Sequence, residues 1–331
     1  MSSTPQPIAV VAGASGFVGA AVARALVEDG YQIRRVGRSG PIRWSDTDAL
    51  AAAVDGADTV VNFAGMSVNR RYTDRNRREI LASRVTTTRA LREAIERAAR
   101  PPRVWLNAST ATIYRHSMDR PNTETGGELG SGFSVDVATS WERELFTGWL
   151  PGTRRVALRM AIVIGDGPAT RMLLNVARLG LGGTQYDGWF PPHRRYRGIG
   201  ERPTGPDRAP WYRTGGRQRF SWVHIDDVVA AIRFLRDHER LSGPVNIASP
   251  RPVDNRTLMR TLREVVGARV GLPARRWMLE LGMWALRTEP ELVLKSRWVV
   301  PQRLTDAGFA FAHTDLREAL AEVDARRGHG R

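Results

Sequence analysis

The feature that most constrains the fold is an apolar run near the N-terminus that breaks into three evenly spaced glycines. Ile8 to Ala12 is short, apolar and rich in β-branched residues, which predicts a strand buried on both faces. Ala20 to Asp29 contains good helix formers and ends at Gly30, which predicts a helix. The order of strand, glycine turn and helix favours a dinucleotide-binding unit over an ordinary glycine-rich βα turn.

The three glycines of this unit have separate roles. Gly13 permits a tight turn, Gly16 lets backbone N–H groups approach a pyrophosphate, and Gly19 lets the helix pack closely on the strand. The helix N-terminus adds unpaired donors and the positive end of a dipole. We therefore expect the phosphates to contact the glycine turn and first helical turn, which comprise Gly13, Ser15, Gly16, Phe17, Val18 and Gly19.

The end of the second predicted strand indicates which cofactor is bound. Tyr31 to Val36 predicts that strand, and Gly37, Arg38 and Ser39 follow it. An NAD site usually places Asp or Glu here, whereas the planar cation of Arg38 suits a 2′-phosphate. We predict NADP(H) as the cofactor, with Arg38 and Ser39 in its site. A solvated turn arginine is the alternative.

The glycine spacing in GASGFVG resembles the fingerprint of extended and atypical short-chain dehydrogenase/reductases, the epimerase/dehydratase-like superfamily. Other segments resemble one atypical branch, whose members end in a small C-terminal domain of unknown function. These segments span nearly the whole chain and include NFAGMSVNRRYTDRNRREILASRV, SWVHIDDVVAAI, GPVNIASPRPVDN and VVPQRLTDAGFAFAHTDLREAL. The resemblance implies an α/β fold with a Rossmann doubly wound parallel sheet and a smaller C-terminal α/β substrate domain.

This resemblance implies a division into domains. Residues 1–170 are expected to form the NADP-binding Rossmann domain, to which residues 221–245 return. Residues 171–220 and 246–325 are expected to form the substrate-binding C-terminal region, with an insert at 184–218. The tail, residues 326–331, is expected to be disordered.

Two further segments provide expected cofactor contacts. The predicted strand in DTVVNFAG ends with Asn62, Ala64 and Gly65, small or polar residues that leave room for adenine and ribose. Arg84 lies on a predicted helix, Asp74 to Ala99, where extended relatives often have a cofactor-facing asparagine. For Arg84, a structural role and a phosphate contact are both open.

The catalytic candidates follow the strand that Val104 to Leu106 begins. Ser109, Thr110 and Tyr114 resemble the strand end of sugar-nucleotide epimerases, which implies that Thr110 polarises a substrate carbonyl. A hydroxyl at the carboxyl end of a strand is well placed for chemistry in an open α/β sheet. A threonine that caps the next turn is the alternative.

The usual acid/base pair of the superfamily, Tyr-x-x-x-Lys, is absent. Ser134 and Ala138 occupy its two positions, and Lys295 is the only lysine in the chain. Without a nearby lysine, a phenol keeps a pKa of about 10, so it donates a proton readily but is a poor base at neutral pH. Reduction is therefore the expected direction, with the proton supplied by Tyr114, by water or by a tyrosine of the insert: Tyr186, Tyr196 or Tyr212.

The insert is longer than the corresponding segment of the branch it resembles. Thr184 to Phe220 contains five prolines, eight arginines, three tyrosines and two tryptophans. Turn-forming residues predict a long loop, and its aromatic content argues against simple disorder. We expect a lid that covers an anionic or planar ligand. An oligomer contact is the alternative.

Three local interpretations concern the rest of the chain. Asp226 or Asp227 is expected to cap a helix over Val228 to Leu235, rather than bind a metal. Pro301 to Phe311 is expected to form a loop and a short strand. Helical spacing predicts a set of core side chains: Trp277, Met278, Leu281, Met283 and Trp284.

Composition excludes several classes of function. The chain lacks cysteine, so disulfides and thiolate chemistry are excluded, and its histidines and aspartates show no tight ligand spacing on one helix, so we predict no catalytic metal. The formal charge is +16, but the arginines are dispersed, so we expect no nucleic-acid partner. No apolar segment or leader predicts membrane insertion, which favours a soluble cytoplasmic monomer or homodimer without a membrane partner.

These observations favour an NADP(H)-dependent oxidoreductase that works as a reductase without the Tyr-x-x-x-Lys pair. Its expected partner is a small organic substrate of the kind found in secondary metabolism, either anionic or aromatic. A non-redox cyclase or isomerase on the same scaffold is one alternative. An NADPH-binding regulatory protein without turnover is another.

Overall fold

A seven-stranded parallel sheet forms the centre of the computed structural model, which describes residues 6–207, 210–285 and 290–328. The described strands are β1 (Ile8–Ala12), β2 (Gln32–Gly37), β3 (Ile42–Arg43), β4 (Thr59–Asn62), β5 (Val104–Thr110), β6 (Arg154–Met160), β7 (Ile162–Ile164), β8 (Arg219–Phe220), β9 (Trp222–His224), β10 (Gly243–Ile247) and β11 (Val253–Asp254). The sheet order is β10-β6-β5-β4-β1-β2-β3. The chain changes direction across the sheet beside β1, so a crevice is expected at the carboxyl ends of β1 and β4.

Helices cover both faces of this sheet and form most of the C-terminal region. They are α1 (Phe17–Glu28), α2 (Thr47–Val54), α3 (Asp74–Arg97), α4 (Phe133–Phe146), α5 (Pro168–Arg178), α6 (Ile225–Asp237), α7 (Asn255–Val266), α8 (Arg276–Ala285), α9 (Glu291–Leu294), α10 (Gln302–Asp306) and α11 (Leu316–Gly328). The predicted Rossmann doubly wound α/β fold is confirmed. No helix in the described ranges is long and apolar enough to cross a bilayer.

The continuous apolar character of β1 follows from burial on both sides. Ala9 and Val11 belong to one core cluster, together with residues of α1 and α6. Val10 and Ala12 belong to a second cluster, together with residues of α2, α3 and α4. Because both faces of the strand are covered by helices, every residue after Ile8 in β1 is buried.

Several element boundaries differ from the prediction. Helix α1 begins at Phe17 rather than Ala20, so the glycine turn is shorter than expected. The apolar segment from Arg154 to Gly165 divides into β6 in the main sheet and β7, which pairs with β9. The strand expected within Pro301 to Phe311 is wrong, because Gln302–Asp306 is helical.

Burial on α8 also differs from the prediction. Met283 is buried, but Trp277, Leu281 and Trp284 are 59%, 63% and 59% exposed. Helical spacing identifies a common face of a helix without saying what covers that face. The assignment of these three side chains to the core is therefore wrong.

Two end assignments change as well. The side chain of His224, rather than Asp226 or Asp227, caps α6 by accepting the N–H of Asp226. Helix α11 extends to Gly328, so the first residues of the predicted disordered tail are helical. Residues 329–331 lie outside the described part of the chain.

The start of α1 provides a stability test. A Cβ at residue 19 would lie 2.2 Å from the carbonyl oxygen of Gly13, a backbone atom that cannot move aside cheaply. We expect Gly19→Ala to lower the free energy of unfolding by about 1–3 kcal/mol, as overpacking does elsewhere. Urea denaturation without cofactor measures this change.

The matched control is Gly282→Ala on α8, where no heavy atom lies within 4 Å of the added Cβ. Alanine favours a helix over glycine by about 1 kcal/mol, so this variant is expected to be as stable as the parent or more so. Equal unfolding curves for Gly19→Ala and the parent would contradict the packing argument.

Candidate functional site

The glycine turn forms an open cradle at the carboxyl end of β1. Gly13 has a φ of 76°, and a Cβ there would lie 2.7 Å from the backbone of Phe63. A Cβ on Gly16 would meet only the Gly13 carbonyl oxygen, at 3.4 Å, so its other side is open. Helix α1 begins at Phe17 with no side-chain cap from Gly16. The first-turn N–H groups are thus available to an anion.

A cavity of about 430 Å³, here called the strand-end cavity, runs from this cradle to the end of β5. Its walls come from the glycine turn, α3, β5, α4 and the segment after β6. Its polar or charged lining includes Tyr72, Arg84, Ser109, Thr110, Thr112, Ser134 and Arg297. The cavity therefore connects an anion-binding helix terminus with hydroxyl groups at a strand end.

The expected cofactor residues are distributed unevenly around this cavity. Five of the six predicted turn residues line it, as does Arg84; the five are Gly13, Gly16, Phe17, Val18 and Gly19. Ser15, Arg38 and Ser39 are exposed and do not line the cavity. Arg38 nevertheless follows β2 closely, and the N–H of Gly13 bonds to the carbonyl of Val36 in that strand.

Asn62, Ala64 and Gly65 lie at the end of β4 beside β1, but they do not line the strand-end cavity. Asn62 is fully buried. Its Oδ1 accepts the N–H of Ala64 at 2.9 Å, and its Nδ2 donates to Asn107 Oδ1 at 2.7 Å. The amide of Asn62 thus fixes the neighbouring strand ends.

Arg84 packs inside the cavity wall. Its Nη1 donates to the carbonyls of Met66 and Ile80 at 3.0 Å each, and its guanidinium lies 5.1 Å from the Trp141 ring centroid. Burial lowers the pKa of Arg84 to about 10, so the group stays cationic at neutral pH. The structural role is therefore observed, and the same cation faces the cavity.

The three catalytic candidates occupy different environments. Thr110 and Ser109 line the cavity, and Ser109 donates to Glu142 at 2.6 Å. Thr110 Oγ1 accepts the N–H of Thr112 at 3.2 Å, so this residue also caps the next turn.

Tyr114 lies apart from the strand-end cavity. It is buried, donates to Asn246 at 2.9 Å and accepts from Arg159 at 2.8 Å. Burial raises the pKa of its phenol, which opposes ionisation. This placement favours a structural role for Tyr114.

Ser134 and Ala138, which stand where the superfamily usually has its tyrosine and lysine, lie in different environments. Ser134 lines the cavity and donates to Glu291 at 3.1 Å, while Ala138 is fully buried. Lys295 donates to the carbonyl of Thr112 at 2.9 Å, and burial lowers the pKa of its amine to about 8. The only lysine of the chain thus reaches the loop after β5 from a distant segment.

Tyr72 is a cavity residue that sequence reasoning missed. It is 9% exposed, lines the cavity and packs edge-on against Phe133 with ring centroids 4.6 Å apart. Burial lowers the pKa of Arg84 and Arg297, and the nearby phenol of Tyr72 partly opposes that effect. The available signal was its position within NFAGMSVNRRYTDRN, one of the segments that carry the resemblance.

The insert is anchored to the body of the protein away from the strand-end cavity. Arg77 on α3 donates to the carbonyl of Gly198 at 3.0 Å, and Asp136 on α4 accepts the N–H groups of Ile199 and Thr204. None of the described residues of 184–218 lines that cavity. This placement does not support the expected lid.

The insert tyrosines are also engaged elsewhere. Tyr196 donates to Glu280 at 3.1 Å, and the Tyr212 ring stacks on His116 with centroids 3.9 Å apart. Tyr186 is half-buried, and its N–H donates to the carbonyl of Ala274. None of the three lines the strand-end cavity, so Tyr72 is better placed than they are to meet a substrate there.

Two family models match the chain, one in each half. Residues 9–131 match the NAD dependent epimerase/dehydratase family, and residues 276–323 match a domain of unknown function, DUF1731. The chain is 25% identical to epimerase family protein YfhF of Bacillus subtilis, over 95% of this chain and 97% of that protein. It is 28% identical to epimerase family protein SDR39U1 of Mus musculus, over 96% and 99% of the two chains.

A solved structure agrees along almost the whole chain. The crystal structure of human epimerase family protein SDR39U1 with NADPH superposes with a TM-score of 0.79 at 25% identity, covering 96% of this chain and 99% of the human one. The predicted resemblance is confirmed by both halves of the sequence. The chain thus resembles epimerase family proteins over nearly its whole length, with an NAD dependent epimerase/dehydratase match at residues 9–131 and a DUF1731 match at residues 276–323.

Proposed function

We propose that this protein is an NADPH-dependent reductase that acts on a small carbonyl compound in the strand-end cavity. The observation that carries the proposal is the continuity of this cavity. It joins the glycine cradle of β1 and α1 to a strand-end threonine, Thr110, and a cavity phenol, Tyr72. The site therefore combines a dinucleotide cradle with groups that can hold and protonate a substrate oxygen.

The residues present fit a dinucleotide. A Cβ at position 13 or 19 would clash with backbone atoms, so glycine is required at both positions. Gly16 is open on its outer side, which allows a phosphate to approach the backbone closely. The turn and first helical turn would hold the pyrophosphate, and Arg38 would pair with a 2′-phosphate. NADPH in the human relative supports the predicted NADP(H) cofactor.

Each group of the cavity has a defined task in the proposed reduction. Bound NADPH would supply the hydride for the carbonyl carbon, so the chain's own residues have to deliver a proton to the carbonyl oxygen to complete the alcohol. Thr110 Oγ1 orients that oxygen by hydrogen bonding. Tyr72 donates the proton, and the nearby guanidiniums of Arg84 and Arg297 stabilise the phenolate left behind. The loss of the usual lysine is thus offset by two arginines.

The same cations favour a substrate that carries negative charge. Arg297 is 6% exposed and lines the cavity, and its Nη2 donates to the carbonyl of Glu291 at 3.1 Å. A second guanidinium, that of Arg84, lies in the same lining. Carboxylate or phosphate groups match such planar donors, so an anionic carbonyl compound is the proposed substrate class.

A non-redox isomerase or cyclase is the second candidate. The observation that favours it is the replacement of the usual tyrosine and lysine by Ser134 and the fully buried Ala138. Product mass separates the two candidates, because reduction adds two hydrogens and isomerisation adds none.

The cofactor assignment is tested with Arg38→Ala. Loss of a charged contact to the 2′-phosphate costs about 1.5–3 kcal/mol, which corresponds to about a 10- to 100-fold rise in the dissociation constant for NADPH. The dissociation constant for NADH is expected to stay unchanged. Calorimetric titration of both cofactors measures the difference.

Arg240→Ala is the control for that experiment, because Arg240 is exposed in the loop before β10. It is expected to bind both cofactors as the parent does. Equal NADPH and NADH affinities in the parent protein would remove the assigned role of Arg38.

The proton donor is tested with Tyr72→Phe and a panel of ketones, enones and imines. Because general acid catalysis contributes about 10²- to 10⁴-fold, we expect kcat to fall within that range while NADPH affinity is retained. Following NADPH oxidation in the steady state gives kcat, and titration gives the affinity.

Tyr114→Phe is the comparison variant. It removes hydrogen bonds to Arg159 and Asn246, so it is expected to lower thermal stability more than kcat. The reverse pattern, with Tyr114→Phe inactive and Tyr72→Phe unaffected, would return the donor role to Tyr114. If the parent protein oxidises NADPH with none of the panel compounds, that result would count against reductase activity itself.

A further inference from the structure

A second cluster of polar side chains joins the start of α6 to the C-terminal segment. Its members are His224, Asp226, His313 and Glu322. Each offers one ring nitrogen or carboxylate oxygen, and the four atoms lie within 4.8 Å of one another. None of these residues lines the strand-end cavity.

The spacing within the cluster is close to that of a metal centre. His313 Nε2 lies 3.4 Å from Glu322 Oε2, and His224 Nδ1 lies 3.6 Å from Asp226 Oδ2. In a tetrahedral zinc site with bonds of about 2.0–2.1 Å, neighbouring ligand atoms lie about 3.3 Å apart. Small side-chain movements are therefore enough to bring both pairs to ligand distance.

His224 is the buried member whose hydrogen bonding is incomplete. Its side chain is 1% exposed, its Nδ1 has a 3.3 Å contact with the N–H of Asp226, and its Nε2 has no hydrogen-bond partner among the described residues. A neutral imidazole has one N–H and one lone pair, so one of the two ring nitrogens stays unsatisfied whichever carries the proton.

The second imidazole lies between two carboxylates. His313 Nδ1 lies 3.6 Å from Asp227 Oδ2, and Asp227 is held by the backbone N–H groups of Ala312 and His313. Its Nε2 faces Glu322, and its Nδ1 has no hydrogen-bond partner among the described residues, so this ring also has unused hydrogen-bonding capacity. The rings of His224 and His313 lie 3.9 Å apart between centroids, so both belong to one site.

We propose that His224, Asp226, His313 and Glu322 bind one divalent cation of the Zn²⁺ type. Two imidazoles and two carboxylates match the nitrogen and oxygen ligands that zinc accepts. The ion would link α6, which packs on the central sheet, to α11 of the C-terminal domain. Its role is structural, because the cluster is separate from the cavity in which hydride transfer is proposed.

The test uses Zn²⁺ alone, added to the full chain after dialysis against a chelator. One Zn²⁺ per chain is expected to bind and to raise the unfolding temperature. His313→Ala and Glu322→Gln are each expected to weaken binding at least 10-fold. The matched control is Glu318→Gln, since Glu318 is exposed on the same helix and outside the cluster.

Competition with a chromogenic chelator gives the affinity, and circular dichroism shows whether each variant is folded. For a variant that fails to fold, Co²⁺ substitution of the parent gives a second readout, because a tetrahedral site of nitrogen and oxygen ligands produces intense visible absorption. Absence of Zn²⁺ uptake by the parent overturns the proposal. Uptake that persists unchanged in a folded double variant, His313→Ala with Glu322→Gln, also overturns it.

Discussion

The nucleotide-binding half of the protein depends on glycine at position 19, where α1 passes close to the Gly13 carbonyl oxygen. Because a Cβ at residue 19 would lie 2.2 Å from that oxygen, only glycine lets α1 start so soon after β1. This early start places the N-terminal N–H groups of α1 where β1 and β4 end side by side. The cavity that reaches Thr110 and Tyr72 opens from that point.

The sequence was sufficient to predict the elements that are buried on both faces or carry a clear helical period. β1 and α3 lie within two residues of their predicted ends, and β4 falls inside its predicted segment, because apolar pattern and burial coincide there. The same period on α8 was misleading, since Trp277 and Trp284 share a helical face that stays exposed. Hydrophobic periodicity identifies which side chains share one face of a helix. Whether that face is buried depends on distant parts of the chain.

The site was predictable only where its residues follow one another in the chain. Thr110 was found because β5 ends there, and the glycine turn was found from its spacing. Lys295 reaches Thr112 across 183 residues, and His313 reaches the start of α6 from the segment before α11. Tyr72 lies just before α3, in a segment without regular period. Such contacts join residues that are far apart in the sequence, so they cannot be predicted from the local spacing of residues.

The anchoring of the insert by Arg77 has a consequence for the order of folding. This single guanidinium donates to the carbonyls of Arg194, Arg197 and Gly198, which lie 117 to 121 residues further along the chain. Closing so long a loop lowers the chain entropy, and this unfavourable change comes before the bonds can form. We therefore expect the insert to dock late in folding, on a surface that α3 and the earlier half of the chain provide.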